Sequence, residues 1–368
     1  MAGTGSGLGG ADGGSASFPE SASVAPTAWP ANRFATAGMP FTSDYEELRK
    51  QRMAEISDEL REIYESRASS TTRRDRWTTT RARPAVPPAT VLDPGVEAFN
   101  IDIPGPAGPI PARVYKPKSA DGQIGVYLHT HNSLVGNNGL TNHDSANSQR
   151  VLDWGCALVH PDFRIAPEHR FPAPIEDCYA AYQYVVDHAE SLGFDQHRIG
   201  IGGGCTGATV ATVVSLLARD AGGVQPAVQW LMSPTFDARL DYESCYECAE
   251  GYGLDLEDGE CTYAHYLRSR NDYYDWRASP ILAPTMKGMP PAIIWTGEWE
   301  ILRDETRAYA NRLRDAEVTV HYFEGPQQGH GYCTVVRNVR TGAPTEYQRQ
   351  TVPQLNALMR RYIGPDAK

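Results

Sequence analysis

The chain has 368 residues, 41% of them apolar, and a formal net charge of −11. That length can bury a large core and suits one domain with a cap better than two independent domains. The acidic balance argues against nucleic acid or an anionic membrane as partner, and no apolar run reaches the ~18 residues a membrane-spanning helix needs.

Met1 to Gly14 has neither the basic start nor the apolar stretch of a secretory signal. Seven cysteines, an odd number, do not suggest a disulfide framework. A reducing cytoplasm is the expected location. Residues 1–40 are rich in Gly, Ser, Ala and Pro and read as a flexible arm, because they cannot bury enough apolar surface to offset ordering entropy. Asp44 to Ser66 shows helical spacing, with Leu48, Met53, Ile56, Leu60 and Ile63 falling mostly on one stripe. Thr71 to Pro94, rich in Arg, Thr and Pro, reads as a linker, so residues 41–96 form a cap helix and linker ahead of a catalytic domain over 97–368. Strands are predicted at Ala112–Tyr115, Gly125–His129, Ala157–Pro161, Arg198–Gly202, Val228–Met232, Ala292–Thr296 and Val318–Phe323. Helices are predicted at Ser145–Trp154, Ile175–Ser191, Gly207–Asp220, Asp304–Asp315 and Thr351–Tyr362. Strand–helix alternation of this kind argues for a mostly parallel, doubly wound α/β sheet, which binds its ligands beyond the carboxyl ends of the strands.

The most informative stretch runs Arg198-Ile-Gly-Ile-Gly-Gly-Gly-Cys205-Thr206-Gly207. An apolar strand enters a Gly-rich turn and a run of Ala, Val and Leu follows. That is the context of a G-x-S-x-G nucleophile elbow with cysteine in the serine position. A nucleophile on a strained turn projects above the sheet, and small flanking residues are needed where backbones crowd together. The Thr206 backbone N–H, opening the helix, is placed to donate to an oxyanion and to favour a thiolate. A plain strand–helix turn around a small buried cysteine is the ordinary alternative.

Around this turn the chain resembles the hormone-sensitive-lipase-like branch of the α/β-hydrolases, over residues 97 to 365. Asp162-Phe-Arg-Ile-Ala-Pro-Glu-His-Arg-Phe-Pro-Ala-Pro-Ile-Glu-Asp177 is similar to that family's Y-R-L-A-P-E-x-x-F-P-A-x-x-x-D segment. Thr296-Gly-Glu-Trp-Glu300-Ile-Leu-Arg-Asp304-Glu resembles the acid loop D-P-L-R-D-E, with Glu300 where the catalytic aspartate would stand. Gln328-Gly-His330-Gly-Tyr332 is similar to the x-x-H-G-F segment near the family's C-terminus. The resemblance implies an α/β-hydrolase fold with a helical cap, to which residues 236–276 contribute. It also implies a triad in the chain order Cys205, Glu300, His330. Glu298 and Asp304 are rival acids in the same loop, and Asp304 also suits the N-terminus of the following helix.

Three departures from the family meet at the reaction centre: Cys205 for serine, Gly204 for the acidic residue before it, and His129-Thr130-His131-Asn132 for H-G-G-G. Backbone N–H groups of Thr130 and His131 remain as oxyanion donors alongside Thr206, but new side chains crowd them, and a lost donor costs about 10²–10³-fold in rate. Asn132, Tyr263 and Tyr266 are candidate substrate contacts. The leading expectation is an acyl-processing enzyme, a hydrolase or acyltransferase, acting on a small-molecule ester, lactone or thioester through a thioester acyl-enzyme. The alternatives are a lyase, dehydratase or cyclase that moves protons with His330 and His131, and a ligand-binding pseudo-enzyme. No cofactor is expected, and a homodimer is left open. Cys245, Cys248, Cys261 and His265 have a spacing compatible with structural zinc. Spacings this loose arise by chance, so no metal is assigned.

Overall fold

The computed structural model describes residues 43–56, 60–61, 91–135, 139–331 and 344–367. The predicted arm over 1–40, the 71–90 part of the linker and Tyr332 lie outside the described residues. Among those described, eight strands form one sheet in the order β1-β2-β4-β3-β5-β6-β7-β8. They are β1 (Val96–Gly105), β2 (Gly108–Pro117), β3 (Ile124–Thr130), β4 (Ala157–Pro161), β5 (Phe194–Gly204), β6 (Val228–Met232), β7 (Ala292–Gly297) and β8 (Val320–Gly325). β2 pairs antiparallel with β1 and with β4, and every other pairing is parallel. This is the mostly parallel sheet that the alternating pattern predicts.

Burial follows from position. β4, β6 and β7 are buried at every residue, as expected of central parallel strands covered on both faces. Their side chains alternate between two cores. Val126, Leu128, Ile201, Leu231 and Ile294 face one way, while Tyr127, Val228, Trp230, Ile293 and Trp295 face the other. Helices α3 (Ala173–Asp187), α4 (Thr206–Asp220) and α7 (Arg303–Asp315) cover the first face. The second is covered by α2 (Asp144–Trp154) and α8 (Glu346–Tyr362). Helix α4 lies deepest, buried from Thr206 through Leu216. A run of Ala, Thr, Val and Leu without charge makes that depth tolerable.

β1 has no counterpart in the predicted strands. Its polar, interrupted pattern, Val96-Glu-Ala-Phe-Asn-Ile-Asp-Ile, is that of an edge strand, and its ten-residue register against β2 supplies the order. α8 begins five residues before the predicted Thr351. A capping box between Thr345 and Gln348 starts it, and Pro353 sits inside it.

The segment assigned to the cap folds into α5 (Glu243–Glu247), α6 (Leu256–Tyr266) and a short 3₁₀ turn, Arg270–Tyr274. Phe236, Leu240, Tyr252, Leu256 and Tyr263 join the same core as α4, so this segment is continuous with the body of the sheet domain. Helix α1 (Ser43–Glu55) leans on it: the Arg52 guanidinium pairs with Glu247 at 3.1 Å and lies 5.7 Å from the centre of the Trp299 ring.

Candidate active site

The parallel strands end on one rim, and every predicted site residue except Tyr263 and Tyr266 lies at or just beyond a strand end there. Cys205 follows β5 and immediately precedes α4. Its φ of 50° and ψ of −128° lie outside the regions ordinary side chains favour. The turn is held by the Cys205 N–H, which donates to the Met232 carbonyl at 2.9 Å. Close backbone approach explains two of the glycines. A Cβ on Gly203 would stand 2.1 Å from the Thr130 carbonyl oxygen, and one on Gly207 would stand 2.3 Å from that of His131. Gly204 differs, since its one tight contact for a Cβ would be the flexible end of Met232 at 2.8 Å, with the Asn132 side chain and the Met232 carbonyl oxygen at an ordinary 3.6 Å. The acidic residue that the family carries at this position is therefore not excluded by backbone.

His330 stands in the loop after β8, and its backbone N–H donates to the Tyr252 carbonyl at 2.8 Å. Its Nδ1 lies 2.8 Å from Glu300 Oε2. Cys205 is a second neighbour of the ring, close enough to act on its charge. Donation from Nδ1 to the carboxylate leaves Nε2 as the nitrogen for sulfur. Burial disfavours a charged ring, but Cys205 and Glu300 outweigh it and raise the His330 pKa to about 10.

Glu300 is fully buried. Its Oε1 accepts from the Thr296 hydroxyl, from the Gly297 N–H at 2.6 Å and from the Ser233 hydroxyl at 3.2 Å, which leaves Oε2 for the imidazole. The two rival carboxylates are engaged elsewhere. Glu298 accepts from the Gln327 N–H at 2.7 Å and so ties the acid loop to the histidine loop. Asp304 pairs with Arg303 at 2.7 Å and accepts from the Ser244 N–H at 2.9 Å.

The other predicted residues divide. Thr206 is buried at the first position of α4, where helical N–H groups have no acceptor within the helix. Thr130 is fully buried at the end of β3, and its hydroxyl donates to the carbonyls of Gly202 and Gly207, both at 2.9 Å, clamping the elbow from beneath. The His131 backbone lies against the elbow, but its ring is fully buried and stacked 3.7 Å from Phe163. Burial, then His160 and His143, hold that ring well below the usual histidine range. Asn132 is exposed beside Gly204. Tyr263 is buried with Cys205 and Thr235 in its surroundings. Tyr266 packs edge-on against Phe171, with ring centres 5.8 Å apart, and has Cys178 for a neighbour.

The zinc-like spacing does not converge. The Cys245 thiol donates to the Ile301 carbonyl at 3.3 Å, Cys248 receives the Arg52 guanidinium at 3.5 Å, and His265 Nδ1 bonds the Cys261 carbonyl at 2.7 Å within α6. Among the described residues no three side chains of ligand type are grouped to hold a metal.

Sequence reasoning missed Ser233 and Thr296, which hold the acid, because nothing in their spacing marks them. It also missed three further histidines. His129, His143 and His160 gather with His131 behind the oxyanion loop, with ring centres 5.3–6.0 Å apart.

Comparison with known proteins follows the geometry. A family model described as alpha/beta hydrolase fold matches residues 126–334, more than half of the chain. A carboxylic ester hydrolase of Mycobacterium tuberculosis, LipN, is 36% identical over 247 residues, which are 65% of this chain and 65% of that protein, just under two thirds of its length. An ethyl acetate hydrolase of Pseudomonas putida is 30% identical over 228 residues, covering 61% of this chain and 71% of its own. Among solved structures, an ester hydrolase from the metagenome of Lake Arreo is 30% identical with a TM-score of 0.70, covering 83% of this chain and 98% of its own. The elbow, the strand order and the sequence match agree, and the chain belongs to the α/β-hydrolase fold family.

Proposed function

We propose that the chain is a carboxylic ester or thioester hydrolase that works through a covalent acyl-enzyme on Cys205. The observation that carries this is the buried Glu300 carboxylate bonded to His330 Nδ1 at 2.8 Å, with the Cys205 thiol of a strained elbow close enough to act on the charge of the same ring. His330 takes the thiol proton and the sulfur attacks the acyl carbon, while the carbonyl oxygen becomes an oxyanion received by backbone N–H groups of Thr206 and of the Thr130–His131 loop. Collapse breaks the bond to the leaving group, which departs with the proton from His330. Water then attacks the thioester with His330 as base and releases the acid and the free thiol. Glu300 holds the ring in the required tautomer and stabilises the imidazolium. The ester-hydrolysing relatives support the substrate class, and another acceptor in place of water would turn the same intermediate to acyl transfer.

The lyase or cyclase alternative draws no support from His131, whose buried ring is stacked on Phe163 out of reach of a substrate. Intact-mass spectrometry with 4-nitrophenyl acetate and an acetyl thioester tests the reading. Wild type is expected to gain an acetyl mass on Cys205 and to turn over, and Cys205→Ala to do neither. Full turnover by Cys205→Ala would overturn it.

A further inference from the structure

Ser233 directly follows β6, on the rim between the elbow and the acid loop. It is buried, 2% exposed, and carries a φ of 41° that side chains other than glycine rarely adopt. Its backbone N–H donates to the Trp295 carbonyl at 2.6 Å, which fixes the residue against β7. In this conformation its hydroxyl reaches two loops at once. It donates to Glu300 Oε1 at 3.2 Å and accepts from the Gly331 N–H at 3.5 Å. Gly331 directly follows His330, so a single oxygen touches the carboxylate and the backbone that carries the imidazole. Backbone strain persists where surrounding structure enforces it. Here the enforced geometry is the one that joins acid to base.

We propose that Ser233 is a positioning residue that sets the distance between Glu300 and His330. The inference rests on the triad reading above. Glu300 Oε1 keeps the Thr296 hydroxyl and the Gly297 N–H as donors without Ser233. Loss of Ser233 therefore falls on alignment: the Nδ1–carboxylate bond loosens, the imidazolium is held less firmly, and the ring drifts from sulfur.

Two variants separate this from a structural role. Ser233→Ala deletes the hydroxyl and keeps the strain, and Ser233→Gly deletes it and relieves the strain. Both are expected to lower kcat for 4-nitrophenyl acetate about 10-fold with KM unchanged, the usual scale for a residue supporting a site through its neighbour. Two readouts need no turnover. The far-downfield proton resonance of His330 Nδ1, assigned by its absence in His330→Gln, is expected to broaden in both variants. Iodoacetamide labelling of Cys205 at pH 6 is expected to slow about 10-fold. A Ser233→Gly protein with wild-type kcat, proton resonance and labelling rate overturns the positioning role while leaving the triad standing. Full turnover by Cys205→Ala removes the triad, and the positioning role with it.

Discussion

At the scale of single residues, the site is built by saturating one oxygen of a carboxylate so that the other faces the ring. Glu300→Gln tests this. Its amide keeps the shape but must present either N–H groups to the Oε1 donors or an N–H to the ring, which then holds the wrong tautomer. A drop in kcat of about 10²–10⁴ is expected without a change in melting temperature. The glycines make a second comparison. Gly207→Ala drives a Cβ into the backbone carbonyls of His131 and Thr130, at 2.3 and 2.5 Å, and is expected to yield an inactive protein with a distorted elbow. Gly204→Ala meets only the end of Met232 tightly and is expected to keep Cys205 labelling by iodoacetamide within a few-fold of wild type. Equal damage from the two changes would contradict the crowding argument.

Among the elements, the two terminal helices are held by specific contacts, α8 in addition to the apolar side chains that it buries. α8 starts with a reciprocal capping box, and Thr345→Ala is expected to cost about 1 kcal/mol, seen as a lower denaturant midpoint with an unchanged slope. α1 has a weak apolar stripe and leans on Arg52, whose guanidinium joins Glu247 and Cys248 and covers Trp299. Glu247 in turn pairs with Arg303 at 3.0 Å, so α1 is linked through α5 to the start of α7, just past the acid loop. Arg52→Ala is expected to speed amide hydrogen exchange across residues 43–55 while leaving the sheet protected. Uniform loss of protection would place α1 within the global core instead.

For the whole molecule, the four gathered histidines predict acid lability. Burial holds His129 and His131 well below the ordinary histidine range, reinforced at His129 by Arg150 and at both by neighbouring imidazoles, and His160 is lowered to about 3. Their folded pKa values lie below the unfolded value of about 6.5, so the unfolded chain binds protons that the folded chain refuses. The contribution of the cluster is therefore complete above about pH 6.5 and declines as pH falls toward the folded values, by about 1.4 kcal/mol per pH unit for each excluded proton. Denaturant titrations at pH 7 and pH 5.5 are expected to show that decline, with a shallower slope in His160→Gln. A flat profile would mean that the cluster takes up protons in the folded state. No described helix is long and apolar enough to cross a membrane.

Strand–helix alternation and the Gly-rich approach to Cys205 could be read along the chain, because each is local, while the order of Cys205, Glu300 and His330 came from the resemblance to the family. Strand period, turn chemistry and motif spacing depend on near neighbours, so the parallel sheet and its elbow follow without coordinates. The resemblance favoured Glu300 over Glu298 and Asp304, but all three fall within seven residues, and their partners, which arrive from β6, β8 and α5, could not be read along the chain. The same holds for Ser233, whose reach comes from a positive φ, and for the histidine cluster, drawn from β3, β4 and the start of α2. β1 was hidden for a related reason, since an edge strand takes its order from its partner and not from its own apolar pattern. Contacts between residues tens of positions apart are set by packing, and packing alone decided them.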